Sequence, residues 1–266
     1  MISTRLTPRM RAIIFAMLLS AGLGASQHLQ AGEPATVAAA ADLRFSLEEI
    51  ASQFRRETGQ EVKLTYGSSG TFATQLEQGA PFQLFLSADE DYVFRLADKG
   101  LTQDRGQLYA IGRIVLFAPK GSPLTGQLTP NGMKAVLTTG RLKHFAIANP
   151  EHAPYGRAAQ QWLEKHELWQ AVQPTLLLGE NAAQAAQFAT SGSSEGGIIA
   201  YSLALASKVD ALGTWVLLAA EDHLPLRQRM VRLKGANATA DAFYAYMQSR
   251  PARQVMKQYG FALPGE

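Results

Sequence analysis

The chain contains no cysteine. That absence excludes a disulfide framework, a thiolate-held metal, an iron–sulfur cluster and a thiol nucleophile. It also removes the residue that would carry a lipid anchor behind an export signal. Charge is sparse, at 18% of 266 residues, and its small positive excess is badly placed for nucleic acid. Three of the 25 basic residues, Arg5, Arg9 and Arg11, stand in the first 25 positions, where there is no acid, and the remainder holds 22 basic and 22 acidic residues. No basic stripe is left, so the electrostatic footprint of a DNA- or RNA-binding surface is missing. The five histidines (His28, His144, His152, His166 and His223) show no metal-ligand spacing. The Gly-x-Ser-x-Gly elbow is absent, since Gly67-Ser68-Ser69-Gly70 lacks its spacing. The Gly-rich stretch from Ser193 to Gly197 is followed by no Lys-Ser/Thr, which argues against a P-loop. A secreted hydrolase would need a nucleophile–base pair, and no such pair is apparent.

Hydrophobic residues make up 47% of the chain, which argues against disorder. Behind the three arginines, Ala12 to Leu23 form an apolar run of 12 residues, followed by the small residues Gly24, Ala25 and Ser26. A membrane span needs about 20 residues. The order of basic, apolar and small regions instead predicts a cleaved export signal over residues 1–25, with the cut between 25 and 31. An exported chain with no anchor and no later span is expected to be retained by a second membrane, in the periplasm.

From residue 35 onward, strand-like and helix-like segments alternate. Ser46-Leu47-Glu48-Glu49 has the capping-box pattern, with Leu47, Ile50 and Phe54 at helical spacing behind it. Val62, Leu64 and Tyr66 alternate as a strand, and Ile111 to Ala118 reads as one long strand. Phe145 to Ala148 is a strand, Gly156 to His166 a helix, and Ala182 to Thr190 another. Such alternation predicts an α/β fold with mostly parallel sheets flanked by helices. The elements are too numerous for one small sheet, which favours two α/β domains.

In open α/β sheets, ligands sit beyond the carboxyl ends of strands, at helix N-termini. Four such junctions carry small or hydroxyl residues: Ala38 to Leu43, Tyr66 to Thr71, Asn149 to Gly156, and Gly179 to Gln184. Ser and Asn before a helix are ordinary caps when taken singly. Four junctions converging would offer N–H and hydroxyl donors able to hold an anion without a counter-charge.

The same junctions carry a resemblance. AAA-x-L near Ala38, GSSGT, GAPFQLFLSAD (Gly79 to Asp89), IGRIVLFAPKGS, IANPEHAPYG, GIIAYS and YGFALP together resemble the periplasmic molybdate-binding proteins of ABC importers, across essentially the whole mature chain. The resemblance implies a two-lobed periplasmic-binding-protein clamshell of type II kind, with a two-stranded hinge. It implies a solute-binding protein, not an enzyme, that delivers molybdate or tungstate to an inner-membrane ABC permease. No cofactor is implied, the molybdenum being held only through its oxygens, and a monomer without membrane insertion is expected. Lobe one is expected over 34–113 and 225–266, and lobe two over 114–224. By the same resemblance Ser69 donates its hydroxyl and amide, Tyr155 donates its phenol, and Ala182 offers a backbone amide. Ser68, Asn181 and Tyr201 are further candidates; other members place a tyrosine at the position of Ala200.

Asp42 departs from the pattern, standing where relatives carry a neutral donor. An ionised carboxylate against a dianion would be repulsive by several kcal/mol at an effective dielectric of ~20. Three readings are open. Asp42 turns away to cap the following helix or pair with Arg44, which is the favoured one; it holds or accepts a proton; or the site has moved to another ligand. That other ligand would be a protonated oxyanion, or a ferric complex held by Asp42, Tyr155 and Tyr201.

Overall fold

A computed structural model describes residues 32–265. The export signal expected over residues 1–25 lies outside the described residues. In chain order the elements are β1 (Ala35–Ala40), a 3-10 turn (Ala41–Leu43), α1 (Arg44–Thr58), β2 (Val62–Gly67), α2 (Ser69–Glu77), β3 (Leu84–Ser87), α3 (Glu90–Asp98) and β4 (Gln107–Gly112). Then follow β5 (Ile114–Pro119), α4 (Pro130–Thr138), β6 (Phe145–Ala148), α5 (Pro154–Lys165), α6 (Trp169–Val172), β7 (Leu176–Gly179), α7 (Ala182–Thr190), β8 (Gly196–Ala200), α8 (Tyr201–Ala204), α9 (Ser207–Asp210) and β9 (Gly213–Leu217). The chain closes with β10 (Leu226–Arg232), α10 (Ala238–Tyr246) and α11 (Arg250–Gln258).

Two five-stranded sheets result, ordered β2-β1-β3-β10-β4 and β7-β6-β8-β5-β9. In each, four strands share a direction and one is reversed: β10 in the first sheet and β5 in the second. Each sheet, with its helices, makes one lobe. β1 is apolar apart from Thr36 and buried on both faces along nearly its whole length, as a central parallel strand must be. Its alternation divides the core of the first lobe. Val37 and Ala39, with Leu84 and Leu86, face α1, α10 and α11, whereas Ala38 and Phe85 face Phe72 of α2 and Val93 of α3. The second lobe has a core of its own, built on Ile114 to Ala118 of β5, Phe145 to Ala148 of β6 and Trp162 of α5. Among the described residues no helix is long and apolar enough to cross a membrane.

Two expectations need correction. α1 begins at Arg44, directly on the 3-10 turn, so Ser46 is not its cap; the Ser46 hydroxyl is buried and donates to the Leu43 carbonyl at 3.0 Å. The apolar run through residues 111–118 is two strands, with Arg113 between them, one in each sheet. Hydrophobicity alone does not mark where a chain leaves one sheet for another, because both halves are buried. At this crossing Arg113 donates to the Leu218 carbonyl at 2.8 Å and the Leu218 N–H donates to Ile114 O at 3.1 Å. Gly112 pairs with Leu226. The returning segment 218–225, which holds a 3-10 turn at Ala220–Asp222, therefore crosses beside the outgoing one, and the chain passes between the lobes twice.

Candidate functional site

A small cavity lies where the two lobes meet. The first lobe lines it with Ala40, Ala41 and Asp42 after β1, Gly67, Ser68 and Ser69 between β2 and α2, and Ala88 after β3. The second lobe adds Ala153, Pro154 and Tyr155 at the start of α5, and Ala182 at the start of α7. All these positions are strand ends or helix starts, where the first N–H groups have no intrahelical acceptor. Small side chains leave those groups accessible. α2 and α7 are capped by side chains, Ser68 on Thr71 N–H and Asn181 on Ala183 and Gln184 N–H; the 3-10 turn and α5 have no side-chain cap.

The cavity brings together Asp42, Ser68, Ser69, Tyr155 and Ala182. Ser69 is fully buried, and its Oγ accepts the Ala88 N–H at 2.9 Å, which holds the hydroxyl in place with its hydrogen unspent. Two other candidates lie elsewhere. Asn181 spends its side-chain oxygen as a cap at 3.0 and 3.1 Å. Tyr201 packs on Trp215, with ring centroids 5.2 Å apart, and lies under Gly260. Tyr201 thus cannot join Asp42 and Tyr155 as a third ligand, so the ferric reading loses its donor set.

Asp42 corrects the favoured expectation. It makes no cap and does not pair with Arg44. Its Oδ2 accepts from the Tyr155 hydroxyl at 2.9 Å and from Gln228 Nε2 at 2.6 Å, while Gln228 Nε2 also reaches the Tyr155 oxygen at 3.1 Å. Tyr109 closes the network by donating to Gln228 Oε1 at 2.8 Å. The Asp42 Oδ1 has no hydrogen-bond partner among the described residues. Burial pushes the Asp42 carboxyl up to about 6, against the opposing effect of the Gln228 and Tyr155 hydrogen bonds. Burial, followed by the nearby Asp42 charge, pushes both Tyr155 and Tyr109 well above the usual phenol range. Gly112 makes room for this arrangement: a Cβ there would stand 2.3 Å from the Tyr155 hydroxyl and 3.1 Å from Gln228 Nε2.

Gln228 and Tyr109 were not foreseen. The signal available was parity: Leu226, Gln228 and Met230 alternate along β10 as its inward face, and Gln228 is the polar residue among them. A polar side chain on a core face needs a buried partner.

Several ties run between the lobes. Gly70 N–H donates to the His152 carbonyl at 3.0 Å, and a Cβ at Gly70 would lie 2.6 Å from that oxygen. Arg157 of α5 pairs with Asp89 and donates to the Tyr92 hydroxyl at 2.8 Å. Ser202 donates to the Asp42 carbonyl at 2.8 Å. The lobes are closed on each other. His152 Nδ1 also meets Ser68 Oγ at 3.0 Å, with Glu180 3.5 Å from its other nitrogen. This contact resembles a serine–histidine pair, but the Ser68 oxygen accepts the Thr71 N–H and its hydrogen goes to Thr71 Oγ1 at 2.8 Å. Ser68 is a cap tied across the cleft to a loop. Among the described residues no cluster of three or more His, Cys, Asp or Glu could hold a metal ion.

The comparisons with known proteins agree with this architecture. The bacterial extracellular solute-binding protein family matches residues 35–262. A molybdate-binding protein of Azotobacter vinelandii is 38% identical over 230 residues, 85% of this chain and 89% of that one. A molybdate-binding protein of Rhodobacter capsulatus is 32% identical over 258 residues, 96% of each chain. The solved structure of the Azotobacter vinelandii periplasmic molybdate-binding protein superposes with a TM-score of 0.78 at 30% identity, covering 86% of this chain and 99% of that one. With a match that extends through both sheets and the cavity between them, the chain belongs to the bacterial extracellular solute-binding proteins and, within them, to the molybdate-binding family.

Proposed function

We propose that this protein captures molybdate or tungstate between its lobes in the periplasm and delivers it to an ABC permease. The observation that carries the reading is the cavity itself, a small space reached by helix starts from both lobes and by the Ser69 hydroxyl. Donors of this kind suit a compact oxyanion and offer nothing to a cation. Ser69 and the amides of Ser69 and Ala182 serve as direct donors, while Tyr155, from the opposite lobe, gives its hydroxyl proton to Asp42 and holds that carboxyl in the cavity wall. Because the donors are divided between lobes, a ligand that contacts both favours the closed state by its differential affinity. The family transports solutes and does not transform them, so no chemical step is assigned.

Calorimetric titration of the purified protein with molybdate, tungstate, sulfate, phosphate and ferric citrate tests the reading. Tight binding of the first two, with weak or no binding of the others, is expected. A preference for phosphate or ferric citrate would replace it.

A further inference from the structure

An acidic side chain in an anion site needs an explanation, and the geometry around Asp42 supplies one. Both of its donors, the Tyr155 hydroxyl and the Gln228 amide, converge on a single oxygen, Oδ2. The other oxygen, Oδ1, is buried without a partner, and Asp42 lines the cavity. Two donors on one oxygen direct any proton to the other. We infer that oxyanion capture in this protein is coupled to the uptake of one proton, carried on Asp42 Oδ1, which becomes a neutral carboxylic acid and donates a hydrogen bond to the anion. This rests on the reading that an oxyanion occupies the cavity, and it assigns Asp42 as a specificity-determining residue of that site.

No charged group packed against the carboxyl offsets its charge beside a dianion. From α5 and β4 the titratable groups that face it are Tyr155 and Tyr109, both held protonated. From β10 it meets neutral Gln228, while Arg227 and Arg229 on the same strand are tied to Glu90. From α8 the Ser202 hydroxyl goes to the Asp42 backbone carbonyl and Tyr201 lies against Trp215. α7 contributes no titratable residue. Arg44, two residues along, is exposed and lines shallow outer grooves, and His152 is spent on Ser68 and Glu180. No cation is hydrogen-bonded to the carboxyl among the described residues. The proton comes from solvent, one per anion, and no covalent bond other than its O–H is formed. Burial already holds the carboxyl above its ordinary range, and a dianion beside it raises it further.

The test is titration of molybdate into the full-length mature protein from about pH 5 to about pH 8.5, in buffers of different ionisation enthalpy. The parent should take up close to one proton per anion near pH 8 and almost none near pH 5. Its dissociation constant should rise about tenfold per pH unit on the alkaline side. Asp42→Asn keeps an oxygen for Tyr155 and Gln228 to donate to; it should bind molybdate with no proton uptake and little pH dependence. Infrared difference spectra of the parent give a second readout: a carboxylic-acid carbonyl band appearing on binding supports the proposal even if the variant folds poorly. Molybdate binding in the parent with neither proton uptake nor pH dependence overturns the proposal and leaves the molybdate reading intact. A pH dependence that persists in Asp42→Asn also overturns it. Failure of molybdate, tungstate, sulfate and phosphate alike to bind at any pH removes the oxyanion reading, and the proposal with it.

Discussion

In the ligand-free protein, Asp42 should also make stability depend on pH, and Asp42→Asn should remove that dependence. The folded carboxyl titrates at about 6, against 3.8 for the ordinary group. Below the lower value both folded and unfolded chains carry the proton, and the side chain contributes its full share to stability. As pH rises through the window from 3.8 to about 6, the unfolded chain ionises first and the folded state loses ground. Above the window the loss is complete. At roughly 1.4 kcal/mol per pH unit, the accumulated loss is about 3 kcal/mol. For a domain of this size that corresponds to roughly 6–12 °C in melting temperature. Other carboxyls work in the opposite sense: hydrogen bonds from Lys99 and from Lys165 lower Glu77 and Asp222, and the arginines beside Glu90 lower it despite its burial. The quantity to measure is therefore the difference between variant and parent. Thermal unfolding by circular dichroism from about pH 3.5 to about pH 8 should show Asp42→Asn gaining on the parent across the window and then holding a constant lead. A difference that stays flat with pH would refute the assignment of a proton-holding, buried Asp42.

Three further outcomes follow from the same geometry. Ser69→Ala removes a donor to a charged acceptor and should weaken molybdate binding about ten- to a hundredfold by calorimetry, and Tyr155→Phe, which takes one of two donors from Asp42 Oδ2, should weaken it as well. Unchanged binding in both would show that the anion sits elsewhere. Gly112→Ala should displace the Tyr155 ring, because the new methyl would meet its hydroxyl at 2.3 Å; weakened anion binding with a retained circular dichroism spectrum is the expected signature. Arg157→Ala removes a partly exposed tie across the cleft, worth about 0.5–1 kcal/mol, and should widen the ligand-free particle in small-angle scattering while lowering affinity by a factor of about two to five.

Local chemistry explains which parts of this fold were legible. Phe145 to Ala148 and Ala182 to Thr190 read correctly to the residue, the first as a short fully apolar strand and the second as an alanine-rich helix behind an Asn cap. The α1 start was misread because a local capping pattern at Ser46 was outweighed by the backbone turn after β1. The family resemblance set a boundary at 113/114, but the local pattern read one strand through it, because strand character is the same on both sides of a sheet boundary. For the site, the junctions that hold Ser69 and Tyr155 stood out because each opens a helix after a strand, and the family resemblance picked those two residues within them. The environment of Asp42 could not, since its partners come from residues 113 and 186 positions away. A sequence displays the carboxylate but not the amide and phenol that fold against it.

The strand order of the first sheet bears on how the protein is made. β10 lies between β3 and β4, yet it is the last strand to leave the ribosome. Until it arrives, β3 and β4 have no bridge between them, whereas the second sheet is formed from one uninterrupted stretch of chain, Ile114 to Leu217. The second lobe can thus collapse on its own while the first waits with two open edges. Open edges invite pairing with other chains, so this waiting form is the one that a chaperone would need to protect. Premature termination between residues 218 and 225 would yield a chain with a complete second sheet and a first sheet permanently split, predisposed to aggregate and not merely to lose its ligand.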